Sequence, residues 1–148
     1  MNSILLTHEK LDIAKIERSV TDSGTGATSI FIGTTRDHFH NRKVKKLSYE
    51  AYESMAVKEI EKLCSDTRKT WNIINIAVHH RLGDVPVKEV SVVIAASSAH
   101  RKESLAAINY LIDNLKAKVP IWKKEIYEDG YSEWKANCDC NWVPKNHK

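Results

Sequence analysis

Two long stretches with helical apolar spacing, set among short stretches with the spacing of strands, constrain the fold more than any other feature. Ala56, Ile60, Leu63, Cys64, Thr67 and Trp71 step by three and four residues, as do Leu105, Ile108, Ile112, Leu115 and Val119. A helix turns every 3.6 residues, so each stretch presents one apolar face, and Pro120, which has no N–H to donate, ends the second. Residues 27–34 are rich in β-branched and aromatic side chains and read as a buried strand. Leu47, Tyr49 and Ala51 alternate with Lys46, Ser48 and Glu50, and Ile74, Ile76, Val78 and His80 alternate likewise, which is the period of a strand. Residues 90–96 form the apolar run of a central strand, and a shorter helix over 11–20 precedes the breaker Gly24-Thr25-Gly26. Residues 35–42 read as a polar loop, 81–86 as turn chemistry, and 121–142 as short strands around Asp129-Gly130. The mixture predicts an α+β fold, a two-layer α/β sandwich with a mixed, largely antiparallel sheet and two long helices.

The chain has 148 residues, 42% hydrophobic and 28% charged, with neither repeats nor Pro, Gly or Ser tracts, which predicts one domain over 1–148 rather than a disordered segment. The apolar run Ile4-Leu5-Leu6 is far shorter than a signal-peptide core, and no run approaches membrane-spanning length. Cys64, Cys138 and Cys140 are an odd, sparse set that suits a reducing compartment. The expectation is a cytoplasmic (cytosolic) protein without membrane contact. A net charge of +4 suits an anionic ligand or acidic partner but names neither.

Three places can carry chemistry. At Ser97-Ser98-Ala99-His100-Arg101 a buried strand hands over to the second long helix, whose first N–H groups lack internal partners and attract an anion. His100 and Arg101 strengthen that pull; the structural alternative is that Ser97 or Ser98 caps the helix while both cations are solvated. Lys116, Lys118, Lys123 and Lys124 form a second cluster, interrupted by Val119-Pro120-Ile121-Trp122. Lys116 flanks the apolar face, so its stem can pack while its amine enters a groove. A lysine among other cations, partly desolvated, loses proton affinity and becomes useful as a general acid, base or nucleophile. For any single lysine of the four, a solvated rim is the commoner outcome. Arg36, just past a strand end, is the third place.

Five segments in order, Phe31-Ile32-Gly33-Thr34-Thr35-Arg36-Asp37, Tyr49-Glu50-Ala51-Tyr52 with Met55-Ala56, His80-Arg81-Leu82-Gly83, Ser97 to Arg101, and Leu115-Lys116 through Val119 to Glu125, resemble the large, catalytic subunits of molybdopterin synthases. That resemblance implies an α/β hammerhead fold and a homodimer of large subunits. It implies a small ubiquitin-like sulfur-carrier subunit at each end, whose C-terminal Gly-Gly thiocarboxylate delivers sulfur to cyclic pyranopterin monophosphate. Two deliveries build the dithiolene of molybdopterin, a sulfurtransferase reaction that needs no cofactor. Carried over, it makes Lys116 and Lys123 the catalytic lysines. Thr34, Thr35, Arg36, His100, Arg101, Lys124 and Glu125 become substrate-binding or pocket residues. Bacterial relatives have an arginine in the C-terminal segment, where this chain offers Lys135.

Two rivals need weighing. Cys138-Asp139-Cys140, near Lys135 and Lys145, could carry a persulfide. A basic nucleic-acid-binding module would suit pI 8.9 and four tryptophans, but the basic residues interleave with acids and no RNA-binding signature occurs. His38, His40, His79 and His80 give no set of four metal ligands, since His79 and His80 point to opposite faces of a regular strand. Trp122, Trp134 and Trp142 read as core or interface residues.

Overall fold

The computed structural model describes residues 1–135. Within them the chain runs β1 (Asn2–Thr7), α1 (Ile13–Val20), β2 (Ala27–Thr34), β3 (His38–Phe39), β4 (Arg42–Ala51), α2 (Glu53–Thr70), β5 (Asn75–Arg81), β6 (Gly83–Pro86), β7 (Val90–Ser98), α3 (Arg101–Lys118), β8 (Ile121–Tyr127) and β9 (Ser132–Lys135). This is an α+β fold with two sheets. One has the order β1-β5-β7-β2, with β1 parallel to β5 and the other pairs antiparallel. The other has the order β3-β4-β8-β9, with β6 also paired to β4, all antiparallel.

Strand alternation divides the first sheet's two faces between helices. Ile76, Val78, Val92, Ile94 and Ala96 face the apolar stripes of α2 and α3, with Ile60, Leu63, Cys64, Ala107, Leu111 and Leu115 closing the main core. Ala77, Val93 and Ala95 point the other way, against Ile16 and Val20 of α1. Asp12 holds the start of α1 by accepting from the Lys15 backbone N–H at 3.1 Å. Ile60, Ile76, Ile94 and Leu111 are at most 1% exposed, and burial of each such side chain contributes about 1.5–3 kcal/mol.

The two-layer reading describes the side covered by α2 and α3; α1 adds a cover on the opposite face. Three segments differ from expectation. Asn2–Thr7 is an edge strand, and Gly83–Pro86, read as a turn, pairs with β4 through Lys46↔Pro86 to Tyr49↔Gly83. Gly83 does have the turn-like φ of +78°, and Pro86 sits at the strand's end, where a missing N–H is tolerated. The polar loop also contains β3, closed onto β4 across His40 and Asn41, both with positive φ. No helix among the described residues is long and apolar enough to cross a membrane.

Candidate active site

A cavity of about 580 Å³ opens where the two sheets meet the C-terminal end of α3. Its apolar wall includes Phe31, Ile112, Leu115 and Ile121, and its polar wall draws on distant parts of the chain. Thr34 ends β2 and Arg36 follows it; Lys116 lies in the last turn of α3; Lys123 and Glu125 come from β8, and Lys135 from β9.

Local geometry explains the selection on β8. Residues two apart on a strand share a face, so Lys123 and Glu125 both face the cavity. Lys124 points away and lies 5.4 Å from the centroid of the Trp134 ring. Across the ladder, Lys123 pairs with Tyr49 and Glu125 with Leu47. On α3, Lys116 stands four residues beyond Ile112, which is how a helix places both on one side.

The electrostatics are those of a concentrated cationic site with one internal counter-charge. Burial holds the Lys123 ammonium below its ordinary pKa; Glu125 opposes that shift, and Lys116, Arg36 and Lys135 add to it. Glu125 is 1% exposed, accepts from the Tyr127 hydroxyl at 2.5 Å and lies 3.8 Å from the Lys135 ammonium. Burial raises the Tyr127 phenol to about 12, and its bond to Glu125 adds to the shift. Lys135 also sits 3.9 Å above the Phe39 ring, so this cation is held from two sides.

Of the residues singled out from sequence, the cavity gathers Thr34, Arg36, Lys116, Lys123 and Glu125, together with Lys135. It does not gather Thr35, Lys124, His100 or Arg101 from the same chain. Thr35 is buried and donates through Oγ1 to the Val85 carbonyl at 3.2 Å. His100 and Arg101 are exposed at the opposite end of α3 from Lys116. Neither serine caps that helix: Ser97 Oγ donates to the Val20 carbonyl at 2.6 Å and Ser98 Oγ to the His100 carbonyl at 2.5 Å. His100, in the N-cap position, makes no side-chain cap bond, so the helix start is left open.

Sequence reasoning passed over Tyr49, His80 and Ser91, which line the inner wall. Of the two expectations for the histidines, solvated or hydrogen-bonded, His80 meets the second: it is 5% exposed, with Nδ1 2.7 Å from the Arg81 carbonyl and its ring edge-to-face on Tyr49 at 4.8 Å. Its position in the alternation Ile76, Val78, His80 was the signal that it faces inward. His79 points the other way and meets Ser3 Oγ at 2.9 Å. No group of three potential metal ligands forms among the described residues. Burial pushes the Cys64 thiol up to about 11, far from a reactive thiolate, while Cys138 and Cys140 lie outside the described residues.

Comparison with known proteins places this geometry in a family. Residues 6–118 match the family described as MoaE protein. The molybdopterin synthase catalytic subunit of Drosophila melanogaster is 55% identical over 139 residues, covering 93% of this chain. The chain spans only 38% of the length of that relative. Molybdopterin synthase catalytic subunit 1 of Aedes aegypti is 52% identical over 151 residues, covering 100% of this chain and 97% of its own. The X-ray structure of molybdopterin synthase from Staphylococcus aureus aligns with a TM-score of 0.83 at 34% identity, covering 88% of this chain and 94% of its own. Fold, segment order and these similarities agree, and the chain belongs to the MoaE family.

Proposed function

We propose that this chain is the catalytic subunit of a molybdopterin synthase and acts as a sulfurtransferase. It moves two sulfur atoms to cyclic pyranopterin monophosphate in two deliveries, one from the C-terminal Gly-Gly thiocarboxylate of each of two successive small ubiquitin-like carriers, forming the dithiolene of molybdopterin. The observation that carries this reading is the convergence of Arg36, Lys116, Lys123 and Lys135 around one cavity of about 580 Å³, a volume suited to a small ligand.

A phosphorylated substrate and a thiocarboxylate repel one another. Cations fixed in a partly desolvated pocket offset that repulsion, with greater effect than they would have in water. Arg36 and Lys135 hold anionic groups. Lys123, whose ammonium is already destabilised, and Lys116 protonate the oxygen that sulfur displaces. The attacking sulfur arrives on the partner, so no cysteine of this chain serves as nucleophile; a C–S bond forms as the C–O bond breaks, and water then cleaves the thioester that joins carrier to substrate, releasing the carrier as an ordinary carboxylate. The open helix start with His100 and Arg101 completes the site of a second copy across a two-fold axis, so a homodimer has two equivalent composite sites. In this reading the protein works in the cytosol as a single domain over 1–148.

Reconstitution tests it. The chain mixed with a thiocarboxylated carrier and the pyranopterin precursor should form molybdopterin, whereas a carrier ending in an ordinary carboxylate should yield none. Absence of product with the thiocarboxylated carrier would refute the reading.

A further inference from the structure

Among the cations of the cavity, and apart from the Glu125 carboxylate that is tied to Tyr127 and Lys135, stands a buried uncharged side chain that offers a lone pair. His80 Nδ1 is 2.7 Å from the Arg81 carbonyl, and a carbonyl can only accept, so the ring proton sits on Nδ1. Nε2 is left unprotonated. The imidazole lines the cavity, and among the described residues its recorded hydrogen bond is the one through Nδ1. Burial lowers the ring's pKa to about 4, so it stays uncharged near neutral pH despite the carbonyl partner.

The surroundings fix this orientation. Tyr49 holds the ring edge-to-face at 4.8 Å and is itself the cross-strand partner of Lys123, which places His80 on the wall next to a proposed catalytic lysine. Ser91, on the same wall, is fixed by donating from Oγ to the Gly33 carbonyl at 3.2 Å.

We propose that His80 is a specificity-determining residue of this pocket, whose Nε2 accepts a hydrogen bond from an N–H or O–H group of the bound ligand. Arg36, Lys116, Lys123 and Lys135 recognise negative charge alone and would accept any small phosphate. An acceptor fixed beside them selects an anion that also carries a donor, as a reduced pterin phosphate does through its ring N–H groups. The inference rests on the proposed function and adds the means by which the heterocycle is told from other phosphates.

The test combines binding with a spectroscopic readout. His80→Phe keeps the ring contact with Tyr49 and removes both nitrogens, while His80→Gln restores an acceptor near the Nε2 position. By calorimetric titration, His80→Phe should bind the pyranopterin precursor about tenfold more weakly than the unaltered protein, the effect of one lost hydrogen bond. Its affinity for inorganic phosphate should be unchanged, and His80→Gln should recover most of the loss. In ¹⁵N NMR of the unaltered protein, the His80 Nε2 resonance should move on adding precursor but not on adding phosphate. Unchanged precursor affinity in His80→Phe, or equal loss for precursor and phosphate, would overturn the role of His80 while leaving the proposed function standing. Failure of the unaltered protein to bind the precursor would overturn both.

Discussion

Arg101 and Lys116 ride on one unbroken helix of 18 residues, α3, about 22 Å apart by helical rise, and only Lys116 reaches the cavity of its own chain. A small phosphorylated ligand does not bridge that distance. The proposed two-fold arrangement predicts that inactive Lys116→Ala chains and inactive Arg101→Ala chains complement each other when mixed. With random exchange, half the dimers carry one intact site of two, so about a quarter of full activity should return. Exchange demonstrated by mass spectrometry without any recovery would mean that each chain builds its site alone.

His80 makes stability depend on pH. Its pKa falls from 6.5 to about 4 on folding, so the unfolded chain takes up the proton first as pH drops. Its contribution is complete above about pH 6.5 and is lost progressively down to about pH 4, to a total of about 3 kcal/mol. Urea unfolding at these two pH values should show a smaller difference for His80→Phe than for the unaltered protein. Equal differences would mean that the imidazole is not kept neutral.

The cysteines should be dispensable. Cys138→Ser with Cys140→Ser is expected to keep near-normal product formation when the thiocarboxylated carrier supplies sulfur. Cys64, buried with its thiol raised to about 11, should resist alkylation in the native state and react on unfolding. Loss of activity in the folded double variant would favour a persulfide route.

Much of the fold was legible because most elements carry their own periodicity. Helices α2 and α3 lie within a few residues of the apolar stripes from Ala56 to Trp71 and Leu105 to Val119, and β2, β4, β5 and β7 follow their alternating or apolar runs. What escaped was set by partners distant in sequence. Asn2–Thr7 is a strand because its backbone pairs with β5, and Gly83–Pro86 because β4 offers it a ladder. The same division holds for the site. Lys116, Lys123, Arg36, Thr34 and Glu125 stand in segments that carry the family resemblance, and the cavity brings them together. His80 and Tyr49 stand in such segments too, but their roles depend on ring packing and on a carbonyl partner, which spacing does not encode.

The central claim, that this cavity is where sulfur is transferred, is tested most directly by product formation in Lys116→Ala beside the unaltered chain, with thiocarboxylated carrier and precursor in excess. Lys116 lines the cavity beside the buried core and its charge is not needed for packing, so the variant should fold with an unchanged circular dichroism spectrum. The account predicts a fall in molybdopterin formation of about a hundredfold or more, the range for losing a positioned proton donor, with a comparable fall for Lys123→Ala. Normal turnover by folded Lys116→Ala protein would contradict it.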